Sequence, residues 1–331
     1  MSRLLIDDYD VAFFDLDGVI YLGPVAVDGA LAAVTGVRSR GTRVIYVTNN
    51  ASRSAQQVAD HLSELGFVAT PDDLVTSAQV AADILSRELP QGARILVAGS
   101  PNLVNLMTET GFVVVTSADE EPDAVIQGYD PQMTWPRLNE AAIAIQRGAV
   151  WYATNNDSTL PNDRGILPGL GAAINAVGNT VDIRPTVFGK PFRPMLDFAL
   201  AKTGAERPIF VGDRIDTDIE GANNAGMASL FVFTGVHGKA DLVAASAGAR
   251  PSAIGSDVGA LLQPHRSVTL SDGRAECGAA VALSSEGEVK IESLADDLPG
   301  QLDALWAIAQ LAWTDPSLNT ESALARLSDL R

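Results

Sequence analysis

Short apolar runs alternate with amphipathic stretches along most of this chain. Residues 10–16 read as a buried strand and 28–40 as a helix. The β-rich run RVIYVT at 43–48 reads as a second strand, followed by a helical pattern over 53–66. Strand, helix, strand, helix with short connections predicts a parallel sheet with helices on both faces. Ligands of such sheets sit at the carboxyl ends of the strands. The pattern pauses near Pro71 and restarts, with strands expected at 94–99, 112–116, 123–128 and 150–154 and a helix over 136–148. A Gly/Pro/Asn-rich loop, TNNDSTLPNDRGILPGLG, follows at 154–171. A loop of that length and polarity is more often functional or mobile than merely connecting. After Pro185 the first style returns, with strands at 208–213 and 229–235 and helices at 192–203 and 217–225.

The organisation expected from this pattern is α/β throughout. Residues 1–77 and 184–264 form a discontinuous core, 78–183 an inserted α/β domain, and 265–331 a small C-terminal α+β appendage. In the appendage, alternation and the turn signals Asp272-Gly273 and Glu286-Gly287 predict a three-stranded antiparallel meander. Helices are expected around 299–313 and 320–330. A piece of this size is expected to dock on the larger body.

Charge and cysteine content narrow the function classes. A formal net charge of -18 argues against nucleic acid, whose phosphates need a basic face, and against an anionic membrane surface. The start MSRLLIDDYD turns acidic at once, which is no secretory signal, and no window approaches a membrane span. The one cysteine, Cys277, forms no intramolecular disulfide and is expected to be half-buried in a strand, without a catalytic role. A cytoplasmic location fits.

The chemistry is carried by four short motifs in order. The first, FFDLDGVIYLG, delivers Asp15 and Asp17 from an apolar strand onto a Gly-bearing turn. Two acids so placed repel each other unless a cation sits between them, and hard oxygen ligands suit Mg2+. The others are Thr48-Asn49-Asn50 after the second strand, Lys190 in VFGKP, and VGDRIDTDIEGANNAGM with Asp213 and Asp218. Taken singly, each has an ordinary reading. Asp17-Gly18 is a turn, Thr48-Asn49-Asn50 a helix cap, Lys190 a solvated loop lysine, and Asp213 and Asp218 acids at a helix start. Together they supply the parts of phosphoryl transfer. Asp15 serves as a carboxylate nucleophile and Asp17 as general acid and then base. Thr48 and Asn49 offer neutral donors, Lys190 a fixed cation, and Asp213, with Asp218 behind it, completes a magnesium shell.

These motifs resemble, in order, those of the haloacid dehalogenase-like hydrolases, in particular subfamily IIA with an α/β (C2-type) cap. That subgroup includes the nucleotide phosphatase of the N-acetylglucosamine operon, the 4-nitrophenyl phosphatases, and the phosphoglycolate and glycerol-3-phosphate phosphatases. The resemblance covers about residues 8–263. It implies a Rossmann-like three-layer parallel-sheet core with the cap inserted between the second and third motifs. It also implies an aspartyl-phosphate on Asp15 and acid/base work by Asp17. Thr48, Asn49, Asn50 and Lys190 would hold phosphate. Mg2+ would be held by the Asp15 side chain, the Asp17 backbone carbonyl and Asp213, supported by Asp218. The loop at 154–171 would select substrate, with Asn155, Asp157 and Arg164 as candidates. The segment after 265 departs from the family, whose members usually end near there.

The expected function is hydrolysis of a small phosphorylated metabolite, with glycerol 3-phosphate first. 2-Phosphoglycolate, nucleotide monophosphates, pyridoxal phosphate and sugar phosphates remain as alternatives. A phosphotransferase or mutase using the same intermediate, and a binding protein with a vestigial site, are the other classes. The resemblance leaves room for a homodimer through the cap or the C-terminal segment.

Overall fold

The computed structural model describes residues 3–162 and 165–330. The chain groups into two units, Met1–Ile45 with Ala205–Arg331, and Tyr46–Gly204.

The first unit is built on strands that are apolar on both faces, as a parallel sheet covered by helices requires. Val11–Phe14 is buried at all four positions and pairs in parallel with Pro208–Gly212. Pro208–Gly212 pairs with Ala228–Val232, and that strand with Ala253–Gly255, again in parallel. Helix Ala30–Ser39 turns Ala33, Val34 and Val37 inward. The helix predicted at 217–225 begins earlier, as a π-helical turn over Ile215–Ile219 that continues into Glu220–Asn224. Such turns are rare and often found at functional sites.

The appendage belongs to this first unit and differs from expectation in one strand. It is a four-stranded antiparallel sheet of Val268–Ser271, Arg274–Cys277, Ala280–Ser285 and Glu288–Ser293. The reversal between the second and third strands lies at Gly278, with φ of 55°. It is flanked by Cys277, Ala279 and Ala280, so hydropathy shows no break there. One face of the sheet (Ala275, Cys277, Ala280, Ala282, Val289, Ile291) packs with helix Leu298–Thr314. The same cluster takes in Ile215, Ile219, Phe231 and Leu242, so the appendage shares a core with the rest of its unit. Trp306, 3% exposed, meets Trp313 edge to face at 5.5 Å. Truncating a side chain of that kind costs about 3–5 kcal/mol, a large share of a domain's stability. Cys277 is fully buried rather than half-buried, at 2% exposure. Burial first, and then the charge of Asp303, push its thiol up to about 12, so it stays protonated and unreactive at neutral pH.

The second unit holds a five-stranded parallel sheet, in the order Thr186–Val187, Val150–Ala153, Ala124–Gln127, Arg94–Ala98, Val113–Val115. Leu96, Val125, Ile145, Trp151, Leu170 and Ile174 share its core. In the same unit, residues Tyr46 to Thr48 pair in parallel with Leu74–Thr76. The segment read as an open loop at 154–171 is partly ordered into an antiparallel hairpin, Thr159–Asn162 with Gly165–Pro168. Two prolines and three glycines between 161 and 171 hid its alternation. Arg164 lies outside the described residues. Among the described residues, no helix is long and apolar enough to cross a membrane.

Candidate active site

In the first unit, parallel pairing brings two acids together from opposite ends of the sequence. Phe14 is in register with Val211, so Asp15 and Asp213 emerge just beyond the carboxyl ends of adjacent strands. The Asp15 N–H still donates to the Val211 carbonyl at 2.9 Å, which fixes its backbone. The π-helical turn adds Asp218. Carboxylate oxygens of Asp15, Asp213 and Asp218 lie within 4.8 Å of one another, and all three residues are buried.

The surroundings orient these oxygens. Asp218 Oδ2 accepts the backbone N–H groups of Asp213 and Arg214, both at 3.2 Å. Asp213 Oδ2 accepts the Val236 N–H at 2.6 Å. Gly18 sits in the left-handed region at φ 90°, and a Cβ there would lie 2.7 Å from Asp213 Oδ2. At Gly235 the corresponding approach is 1.9 Å, so any side chain would displace the Asp213 carboxylate. Asp216, by contrast, points outward and pairs with Arg214 at 3.0 Å.

The strand expected over 10–16 would carry Asp15 at its turn-ward end, with Asp17 directly after it. The strand ends at Phe14, however, and Asp17 lies half-buried on the turn beyond it, outside the three-acid cluster. What converges is instead long-range: Asp15 with Asp213 and Asp218. Three buried carboxylates so close repel unless a cation joins them. Around a divalent ion with ligands at ~2.1 Å, octahedral oxygens stand about 3 Å apart when adjacent and about 4.2 Å when opposite, so oxygens gathered within 4.8 Å need only a small side-chain adjustment to close on one ion. These residues could therefore hold Mg2+.

The second unit gathers the other sequence-predicted residues. Thr48 is 3% exposed, Lys190 1% and Asn155 3%. The Asn49 carboxamide clasps Lys190: its Oδ1 accepts the Lys190 N–H at 2.8 Å, and its Nδ2 donates to the Lys190 carbonyl at 3.0 Å. Nδ2 also donates to Asp157 Oδ1 at 3.0 Å. Both amide hydrogens are thereby committed, so the Asn49 side chain braces Lys190 and has no donor left to offer phosphate. The Asn49 carbonyl accepts Ser77 Oγ at 2.6 Å and Asn155 Nδ2 at 2.7 Å. Asn50 closes the following turn, its Oδ1 accepting Ser52 N–H and Oγ. Lys190 Nζ donates to the Val47 carbonyl at 3.5 Å. Gly189 makes the clasp possible, since a Cβ there would lie 2.6 Å from Asn49 Oδ1.

Sequence reasoning missed Ser77, Gly189, Gly235 and Val236. Each acts through a long-range contact or a backbone amide that no local pattern marks.

Residues 12–113 match the family model described as Haloacid dehalogenase-like hydrolase, and residues 187–261 match a second described as HAD-hyrolase-like. D-glycerol 3-phosphate phosphatase of Mycobacterium tuberculosis is 41% identical over 315 residues, 94% of this chain and 88% of that protein. Acid sugar phosphatase of Staphylococcus aureus is 36% identical over 230 residues, 69% of this chain and 88% of that protein. The crystal structure of a glycerol phosphate phosphatase from M. tuberculosis in complex with magnesium superposes with TM-score 0.88 at 38% identity, covering 99% of each chain. A 4-nitrophenylphosphatase from Thermotoga maritima gives TM-score 0.72 at 29% identity, covering 78% of this chain and 98% of that one. The T. maritima protein, covered to 98% by 78% of this chain, lacks a counterpart to much of the remainder, whereas the M. tuberculosis structure shares the segment after 265.

Proposed function

The chain belongs to the haloacid dehalogenase-like hydrolases and is a phosphatase, and on that premise we propose that it hydrolyses glycerol 3-phosphate through an aspartyl-phosphate. Asp15 attacks phosphorus in line, the bond to the leaving alkoxide breaks, and Asp17 gives that oxygen its proton. Asp17, now a carboxylate, takes a proton from water. That water attacks phosphorus, the Asp15–phosphorus bond breaks, and phosphate departs. Thr48, Asn50 and Lys190, with the backbone of Asn49, supply donors and positive charge for the phosphoryl oxygens. Mg2+ supplies charge neutralisation when bound by Asp15, the Asp17 carbonyl and Asp213, with Asp218 orienting them. Asn155 and Asp157 hold Asn49, and through it Lys190, in place. We retain the division into a core of 1–77 and 184–264 and a cap of 78–183, a cytoplasmic location and a homodimer as parts of this proposal.

The observation that carries the substrate is the full-length likeness, appendage included, to a glycerol phosphate phosphatase. A panel of phosphomonoesters with Mg2+ tests it. Glycerol 3-phosphate is expected to give the highest kcat/KM, above 2-phosphoglycolate, nucleotide monophosphates, pyridoxal phosphate and sugar phosphates. A higher value for any of these would replace the substrate while leaving the reaction class standing.

A further inference from the structure

The appendage is tied to the helix that directly follows the segment holding Asp213. Residues 234–238 touch the acid site at several points. The Thr234 hydroxyl donates to the Gly18 carbonyl at 2.5 Å, the Val236 N–H donates to Asp213 Oδ2 at 2.6 Å, and His237 Nδ1 accepts the Ile215 N–H at 2.9 Å. This run has no regular structure of its own. It links strand Ala228–Val232 to the short helix Lys239–Val243.

Both ends of that short helix are tied to the appendage. Lys239 Nζ donates to the carbonyls of Leu327 and Leu330 at 2.6 and 2.8 Å. Trp313 Nε1 donates to the Val243 carbonyl at 3.2 Å, while the Arg250 guanidinium lies 5.2 Å from the centre of a Trp313 ring. Between the two ties, Leu242 is buried in the cluster that includes Ile215 and Ile219. Val243 and Trp313 pack against the same cluster, and the polar ties at the two ends of the helix fix its position on the appendage. An open cleft of about 900 Å³, lined by small residues such as Ala240, Ala244, Ala247 and Ala312, runs beside this contact.

We infer that the helical end of the appendage braces the Asp213 segment, with Lys239 and Trp313 as positioning residues that set the affinity for Mg2+. The inference rests on the reading of Asp213 as a magnesium ligand. A fixed N–H on one carboxylate oxygen orients the carboxylate, and loss of such outer partners typically weakens metal binding about 10–100-fold. Here the partner is a backbone amide three residues from Lys239, so loosening the helix loosens the amide.

The test is calorimetric titration of the substrate-free full chain with Mg2+, paired with a melting curve. Lys239→Met and Trp313→Phe are expected to weaken Mg2+ binding about 10-fold, and Lys239→Arg to restore it. Ile291→Ala, at an appendage-sheet residue whose side chain takes part in neither tie, is expected to lower Tm with Mg2+ affinity unchanged. Wild-type affinity in both Lys239→Met and Trp313→Phe would overturn the brace. So would an equal loss in Ile291→Ala, which would reduce the effect to general stability. Asp213→Asn separates the premise: if it binds Mg2+ as tightly as wild type, the fault lies in the ligand assignment.

Discussion

Asp15→Asn is expected to lower kcat by at least ~10⁴-fold with the fold intact, because removal of a nucleophile is not compensated by the groups that remain. The amide is nearly isosteric, and the Asp15 N–H bond to Val211 does not involve the side chain. Without metal, the variant should melt no lower than wild type, since one of three crowded carboxylates has lost its charge. Phosphate release under saturating substrate, together with melting in chelator, checks both halves. Turnover within tenfold of wild type would exclude Asp15 as nucleophile.

Lys190→Met is expected to reduce kcat/KM by about 10²–10³-fold, the usual cost of removing a preorganised charge aimed at a developing oxyanion. Lys190 is 1% exposed, and Met fills a similar volume. The Asn49 clasp on the Lys190 backbone survives the change, so the loop should keep its place. A far-ultraviolet spectrum identical to wild type, with the rate loss, is the predicted pair of results. An unchanged rate would assign Lys190 a purely structural role.

The legible part of this protein was what physics writes locally. Strands such as Val11–Phe14 and Pro208–Gly212 are apolar on both faces, which predicts a helix-covered parallel sheet, and each ends immediately before or near an acid. The four motifs in order then pointed to Asp15, Asp213 and Asp218, which the fold does gather. The rest was invisible for identifiable reasons. Asn49 looked like a phosphate donor, yet its carboxamide serves Lys190, a partner 141 residues away that no window spans. Val236 acts through its backbone amide, which any residue carries. The extra appendage strand was masked because its turn at Gly278 is set among small apolar residues. Leu74–Thr76 is only three residues long, too short for alternation to register.

The central claim is that Asp15 carries the phosphoryl group. Asp17→Asn with 4-nitrophenyl phosphate tests it most directly, because that leaving group departs without a donated proton while hydrolysis of the intermediate loses its base. The account predicts a burst of one equivalent of nitrophenol per active site, and, after acid quench and digestion, a phosphoryl group mapped by mass to Asp15. Steady release without a burst, or a phosphoryl group on any other residue, would contradict it.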